Sequence, residues 1–308
     1  MPSMRNPANQ AHWAVEKMRA HNEKREQTRQ EPGKVSSLGT TRSYEQGLKN
    51  LASHLRESRE GDLRSVNREQ VENFLRERAG EVGQKQLDQE RQAAQAWLSC
   101  RDGENVKFPR SEHKTQLDES RNLAQQSRVY EPQQLDRIQD RLTEQNSLAL
   151  QVMRETGIRA HEVGTLGRHD EQPANEREWR NDRFVGKDGV TYTVKGKGGL
   201  TREIKLSQET AQKLEQARKS EPDTVKDRGI NYQSRYNIGT GQALSQAFTR
   251  ASVKEVGWCA GMHSIRHVYA QGRMDKLQER GYTYQEAKEV VSQEVGHFRP
   301  ETTEAYLR

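Results

Sequence analysis

Cysteine is nearly absent. Cys100 and Cys259 are the only two among 308 residues, and they lie far apart. That spacing excludes a zinc-ligand pattern and a disulfide framework, and implies a reducing compartment. Long apolar runs are lacking as well. No stretch approaches the ~18 residues of a membrane span, and the N-terminus has no apolar signal segment. We therefore expect a soluble, cytoplasmic protein without a membrane partner. Apolar residues make up 31% of the chain, no more than the charged ones, so its cores must be small or its helices heavily solvated. Acid-rich clusters of the kind that hold catalytic metal ions are not evident, so neither a metal nor another cofactor is expected.

What is present favours helix: Leu, Ala, Gln, Glu and Arg are abundant. The length allows two domains. Lys and Arg number 51 against 45 Asp and Glu, a net charge of +6. That balance suits a polyanion, but the excess is modest, so any DNA-binding face must come from clustering.

Residues 1–36 are polar and read as a flexible N-terminal arm, with Trp13, Val15 and Met18 able to form one short amphipathic helix. Pro32-Gly33 is a break. Residues 37–104 read as a helical domain. Tyr44, Leu48, Leu51 and Leu55 recur at helical spacing. Asn67 with Gln70 forms a capping-box signal ahead of Val71, Phe74 and Leu75, and Leu87, Ala94, Trp97 and Leu98 mark a third helix over 84–99. Residues 105–130, with Pro109 and little periodicity, read as a linker. Helices are expected again near 132–143 and 146–156, the latter ended by Gly157. Arg159 then falls at a corner between helices.

Residues 183–206 change character. Val190, Tyr192 and Val194 alternate with polar residues, the turns Gly186-Lys187-Asp188-Gly189 and Gly196-Lys197-Gly198-Gly199 flank them, and Ile204 and Leu206 follow. We expect a small three-stranded antiparallel sheet here, with Lys197 at a hairpin tip. Residues 221–240 read as loop. Downstream, His263 and Arg266 share one helix face. Thr283 with Glu286 caps a helix bearing Val290, Val291 and Val295, and Gly296 ends it and delivers His297. Pro300 can start a last short helix that carries Tyr306. The fold class is thus mainly α: an N-terminal helical domain, then a mixed helical domain over 131–308 with the small sheet.

These pieces, in this order, resemble the tyrosine recombinase, or phage integrase, family. Thr156-Gly157-Ile158-Arg159-Ala160-His161-Glu162-Val163 is similar to its first arginine motif, T-G-[LI]-R-x-x-E-[LIV]. Gly196-Lys197-Gly198 ahead of Thr201-Arg202-Glu203-Ile204 is similar to its lysine hairpin. His263-Ser264-Ile265-Arg266-His267 resembles H-x-L-R-H, with Ile265 in place of leucine. Val295-Gly296-His297, followed nine residues later by Tyr306, resembles L-G-H…Y, with Val295 in place of leucine. The motifs cover about 130–308, and with the helical domain, similar to a core-binding domain, about 41–308. The stretch from Asp275 to Glu289 is longer than in a minimal member. The sequence ends two residues past Tyr306, so the docking helix that follows the tyrosine in many relatives is not expected.

The resemblance implies a catalytic set of Arg159, Lys197, His263, Arg266, His297 and the nucleophile Tyr306, supported by Glu162 and His267. The phenol of Tyr306 attacks a DNA phosphorus, a 5′ hydroxyl leaves, and a 3′-phosphotyrosyl link remains. The arginines suit the developing phosphate charge, and Lys197 acts as general acid. His263 accepts or relays a proton near the tyrosine, and His297 hydrogen-bonds the phosphate. The implied partners are double-stranded DNA with a specific recombination site, further copies of the chain as a tetramer in the synapse, and an accessory DNA-bending or directionality factor. The implied role is integration or excision of a mobile element. The alternatives are a type IB topoisomerase-like enzyme and a DNA-binding accessory protein of the same fold without cleavage. A tyrosine so near a chain end has few contacts, so we expect the free protein to hold Tyr306 loosely.

Overall fold

The computed structural model describes residues 6–20, 28, 30–117, 129–196 and 198–307. The chain forms two compact units, Met1–Leu123 and Ala124–Arg308.

The first unit is built from α1 (Pro7–Met18), α2 (Leu38–Glu57), α3 (Arg68–Ala79) and α4 (Gln84–Asp102). Its core joins Leu48, Leu51 and Leu55 of α2, Val71, Phe74 and Leu75 of α3, and Leu87, Ala94 and Trp97 of α4. α2 and α4 approach closely at Gly47, where a Cβ would lie 3.0 Å from the Cβ of Ala93. The capping box at α3 is formed as the spacing predicts: Asn67 Oδ1 accepts from the Gln70 amide, and Gln70 Oε1 accepts from the Asn67 amide.

Two segments differ from the sequence reading. Within the polar stretch 1–36, α1 buries Ala11, Ala14, Val15 and Met18 in the same core, against α2 and α4. The sequence reading allowed a short amphipathic helix here, at Trp13, Val15 and Met18, but a face diluted by Gln, Asn and His did not show that it docks in the core. Within 105–130, Phe108 is buried in this core and its carbonyl accepts from Arg91 Nη1 at 2.7 Å. Thr115 Oγ1 donates to the Val82 carbonyl at 2.7 Å. Those contacts are made by backbone and single side chains, which leave no periodicity. Residues 118–128 lie outside the described residues.

The second unit is mainly helical with one small sheet. Its helices are α5 (Pro132–Asp140), α6 (Glu144–Thr156), the single turn α7 (Ala160–Val163), α8 (Gln208–Gln216), α9 (Gly241–Val256), α10 (Ser264–Gln278) and α11 (Tyr284–Glu294). The sheet has the order β1 (Gly167–Arg168), β2 (Val190–Lys195), β3 (Thr201–Leu206), all antiparallel. Strands β2 and β3 fall where alternation placed them. The third strand is the two-residue β1, upstream of the expected 183–206, and too short to show a period.

Residues 221–240, read as loop, contain a strand pair instead: β4 (Arg218–Asp227) and β5 (Ile230–Tyr236). Most of β4 is exposed on both faces, so no apolar alternation marks it. Arg228 and Gly229 both take positive φ, 49° and 77°, as a tight two-residue hairpin turn requires. The unit's main core gathers Leu150, Val152 and Met153 of α6, Val194 and Ile204 of the sheet, Phe248 of α9 and Ile265 of α10. The chain then closes with two 3-10 turns, Pro300–Thr302 and Glu304–Tyr306, in place of one α-helix.

Candidate active site

The site is built where three chain breaks meet, all in the second unit. α6 ends at Gly157, whose φ of +64° is left-handed and costs no side-chain clash. A Cβ there would lie 2.5 Å from the Tyr269 ring. The turn delivers Arg159 to the N-terminal boundary of α7. Arg159 donates from Nη1 to Glu162 Oε1 at 2.8 Å, and its amide donates to Glu162 Oε2 at 2.9 Å. The second break is the start of α10, with His263 at its boundary and Arg266 and His267 within its first turn. The third is Gly296, φ +81°, which ends α11 and turns His297 inward.

These breaks bring Arg159, Arg266, His297 and Tyr306 together. Arg159 Nη2 lies 3.2 Å from His297 Nε2, and Arg266 Nη2 lies 3.4 Å from the same nitrogen. Guanidinium nitrogens only donate, so Nε2 accepts and the proton of the neutral ring belongs on Nδ1. Arg266 is 1% exposed, and its Nη1 donates to the Gly157 carbonyl at 2.7 Å. It also donates to the Val295 carbonyl. Its buried Nε has no hydrogen-bond partner among the described residues.

Tyr306 completes the cluster. Its ring stacks on His297 at 5.7 Å between centroids, meets His263 edge-on at 5.5 Å and His267 edge-on at 5.0 Å, and lies 5.3 Å from the Arg266 guanidinium carbon. The loose placement expected of a near-terminal phenol is not what the structure shows, because Tyr306 is only 8% exposed. It packs with Met274 and Leu277 of α10 and Val290 and Val291 of α11, with Leu307 against the same cluster. The Tyr306 carbonyl accepts from Gln271 Nε2 at 3.1 Å, which ties the turn to α10.

Electrostatics set the character of this cluster. Burial, then the like charges of Arg159 and Arg202, push Arg266 down to about 9. Burial, then Arg266 and Arg159, pushes His297 down to about 3, so it is neutral at physiological pH. For Glu162, burial is the largest influence and opposes ionisation. The guanidiniums of Arg202, Arg266 and Arg159 outweigh it and hold the carboxyl well below its ordinary range. A guanidinium disfavoured by burial and then by its neighbours, with a buried Nε that has no partner among the described residues, describes a socket for an anion.

Lys197 lies outside the described residues. Its neighbour Gly196 borders the cluster: a Cβ there would lie 3.2 Å from Glu162 Oε1 and 3.3 Å from Arg202 Nη1. Arg202 stands within the lysine-hairpin motif but was given no role. It is 1% exposed, and its Nη2 donates to Glu162 Oε2 at 2.8 Å. The signal was available: Arg202 has the same strand parity as the buried Ile204 and Leu206. A charge on a core-facing position demands a buried partner. Among the described residues, no group of three or more His, Cys, Asp or Glu is arranged to hold a metal ion, and no helix is long and apolar enough to cross a membrane.

No protein-family model and no curated protein matches the chain. Solved structures do match. The XerH site-specific recombinase bound to its difH substrate in a post-cleavage complex aligns with 100% of this chain and 94% of its own, at 14% identity and a TM-score of 0.56. A lambda integrase dimer bound to a core site aligns with 88% of this chain and 72% of its own, at 14% identity and a TM-score of 0.55. The Tn1549 transposon integrase with circular intermediate DNA aligns with 98% and 95%, at 14% identity and a TM-score of 0.52. The chain therefore has the fold found in these tyrosine recombinases.

Proposed function

We propose that the protein is a site-specific tyrosine recombinase that cuts and rejoins DNA for the integration or excision of a mobile element. The observation that carries this reading is the meeting of Arg159, Arg266 and His297 within hydrogen-bond distance, with the Tyr306 ring against them. The fold shared with recombinases bound to DNA supports it.

The chemistry follows from the charges. A DNA phosphodiester is an anion, and attack by a phenolate adds a second negative charge in the transition state. The forked donors of Arg159 and Arg266 match phosphate oxygens that gain this charge, and they stabilise it most when water is excluded. Tyr306 Oη attacks phosphorus, with its proton passing to His263. The phosphorus–O5′ bond breaks, and Lys197 protonates the departing 5′ oxygen. The 3′-phosphotyrosyl link keeps the bond energy, so the 5′ hydroxyl of another strand reverses the step without ATP. Burial and then the like charges keep His297 neutral; an incoming anion offsets the charges and favours a protonated His297 that donates to a phosphate oxygen. His267, edge-on to Tyr306, holds the ring in place. Double-stranded DNA is the substrate, and copies of this chain assemble on it as a tetramer.

The test is covalent trapping. The protein is incubated with duplexes tiling the DNA that flanks its own coding region, and denaturing gels are searched for an adduct. An adduct is expected with the unaltered protein and none with Tyr306→Phe, while both bind DNA equally. Equal trapping by Tyr306→Phe refutes the nucleophile.

A further inference from the structure

Glu162 stands between two guanidiniums. Oε1 accepts from Arg159 Nη1, and Oε2 accepts from Arg202 Nη2 and from the Arg159 amide. The carboxylate is fully buried, as is Arg202, and Arg159 is a quarter exposed. Arg202 is itself locked. Its Nε donates to the Glu294 carbonyl at 3.3 Å, and it passes so close to Gly296 that a Cβ there would lie 2.9 Å from its Cδ. One side chain of β3 thus ties the arginine turn at α7 to the end of α11 that delivers His297.

The charges in this arrangement do not cancel. Among the described residues, three cations, Arg159, Arg202 and Arg266, face one carboxylate, and His297 is neutral, which leaves two positive charges in excess. Without Arg202, Glu162 and Arg159 would form a simple pair, and a neutralised guanidinium is a poor ligand for phosphate. Building on the recombinase reading, we infer that Arg202 is a positioning residue that occupies half of Glu162, so that Arg159 keeps its charge and its outer donors for the scissile phosphate. Arg202 touches no substrate atom and acts through Glu162.

The experiment has two arms. Adduct formation is followed in single turnover on the trapping duplexes, and binding of inorganic phosphate is followed by phosphorus NMR, with Arg159→Ala as the reference for a disabled socket. Arg202→Met should slow adduct formation about 100-fold, the size expected when a phosphate ligand is misplaced, and weaken phosphate binding while DNA affinity holds. Adding Glu162→Gln to Arg202→Met removes the carboxylate that captures Arg159, and should recover most of both losses. Arg202→Lys, which keeps the charge and guards against misfolding of the Met variant, should bind phosphate like the unaltered protein. Phosphate binding by folded Arg202→Met equal to that of the unaltered protein overturns the inference. So does an Arg202→Lys variant as weak as Arg159→Ala, or a double variant no better than the single one. If no duplex yields an adduct yet phosphate binding depends on Arg202 in this way, the recombinase reading fails and the role of Arg202 stands.

Discussion

Two buried carboxylates lie within the second unit, and they are treated differently. Glu294 is 1% exposed and saturated: Arg273 binds it through Nε and Nη2 at 2.9–3.1 Å, the Tyr269 hydroxyl donates at 2.6 Å, and the Phe184 amide donates at 2.9 Å. Burial pushes nearby Lys187 down to about 8, and it donates to the Glu155 carbonyl at 2.6 Å. Glu162 is just as buried, but it is outnumbered by cations, and one of them, Arg266, keeps an Nε without a partner among the described residues. A cluster whose carboxylate is saturated by donors holds the fold together. One that crowds guanidiniums and keeps a buried donor unused carries repulsion that an arriving anion relieves.

The sharpest way to break this comparison is to damage each cluster and read both stability and chemistry. Glu294→Ala strands Arg273 in a dry site, and should cost about 3–5 kcal/mol in chemical denaturation while the remaining folded protein still forms adduct. Arg159→Ala should do the reverse: adduct formation falls about 10²–10³-fold with little loss of stability, because Arg202 still pairs with Glu162. Equal destabilisation by the two substitutions would erase the distinction.

Smaller effects sharpen it. Phosphate at ten times its dissociation constant should stabilise the protein by about 1.4 kcal/mol, seen as a raised Tm, and leave Arg159→Ala unmoved. The sign of the pH response is fixed by His297. Its folded pKa of about 3 lies below its ordinary value near 6.5, so the unfolded chain binds the extra proton. Its contribution to stability is complete above about pH 6.5 and is lost as pH falls toward 3. His297→Gln should flatten that slope in denaturation curves taken across the interval, and saturating phosphate should flatten it too. Last, Thr283→Ala removes the cap of α11, where Thr283 Oγ1 accepts from the Glu286 amide, and should cost about 1 kcal/mol without altering adduct chemistry.

Much of this was legible in particular residues. The capping boxes at Asn67 and Thr283, the stops at Gly157 and Gly296, and the alternation of Val190, Tyr192 and Val194 each act locally, so spacing alone reveals them. The family resemblance, not spacing, singled out Arg159, Arg266, His297 and Tyr306. Spacing could not show β4 and β5, whose exposed faces carry no apolar period, and it allowed a short helix at Trp13, Val15 and Met18 without showing that α1 packs into the core. Motif reading placed Arg202 in the lysine hairpin but gave it no role, because a charged residue beside a turn looks solvated until its partner is known.

The sequence by itself determined where helices start and stop, which strands alternate, and which titratable side chains are on hand, because those depend on neighbours a few residues away. Only the tertiary structure decided which of them meet. Glu162, Arg202 and Gly296 are far apart in the chain, and their contact sets whether Arg159 is neutralised or left charged. That balance depends on burial and on distances of a few ångströms, which exist only once β3, α7 and the end of α11 have packed together.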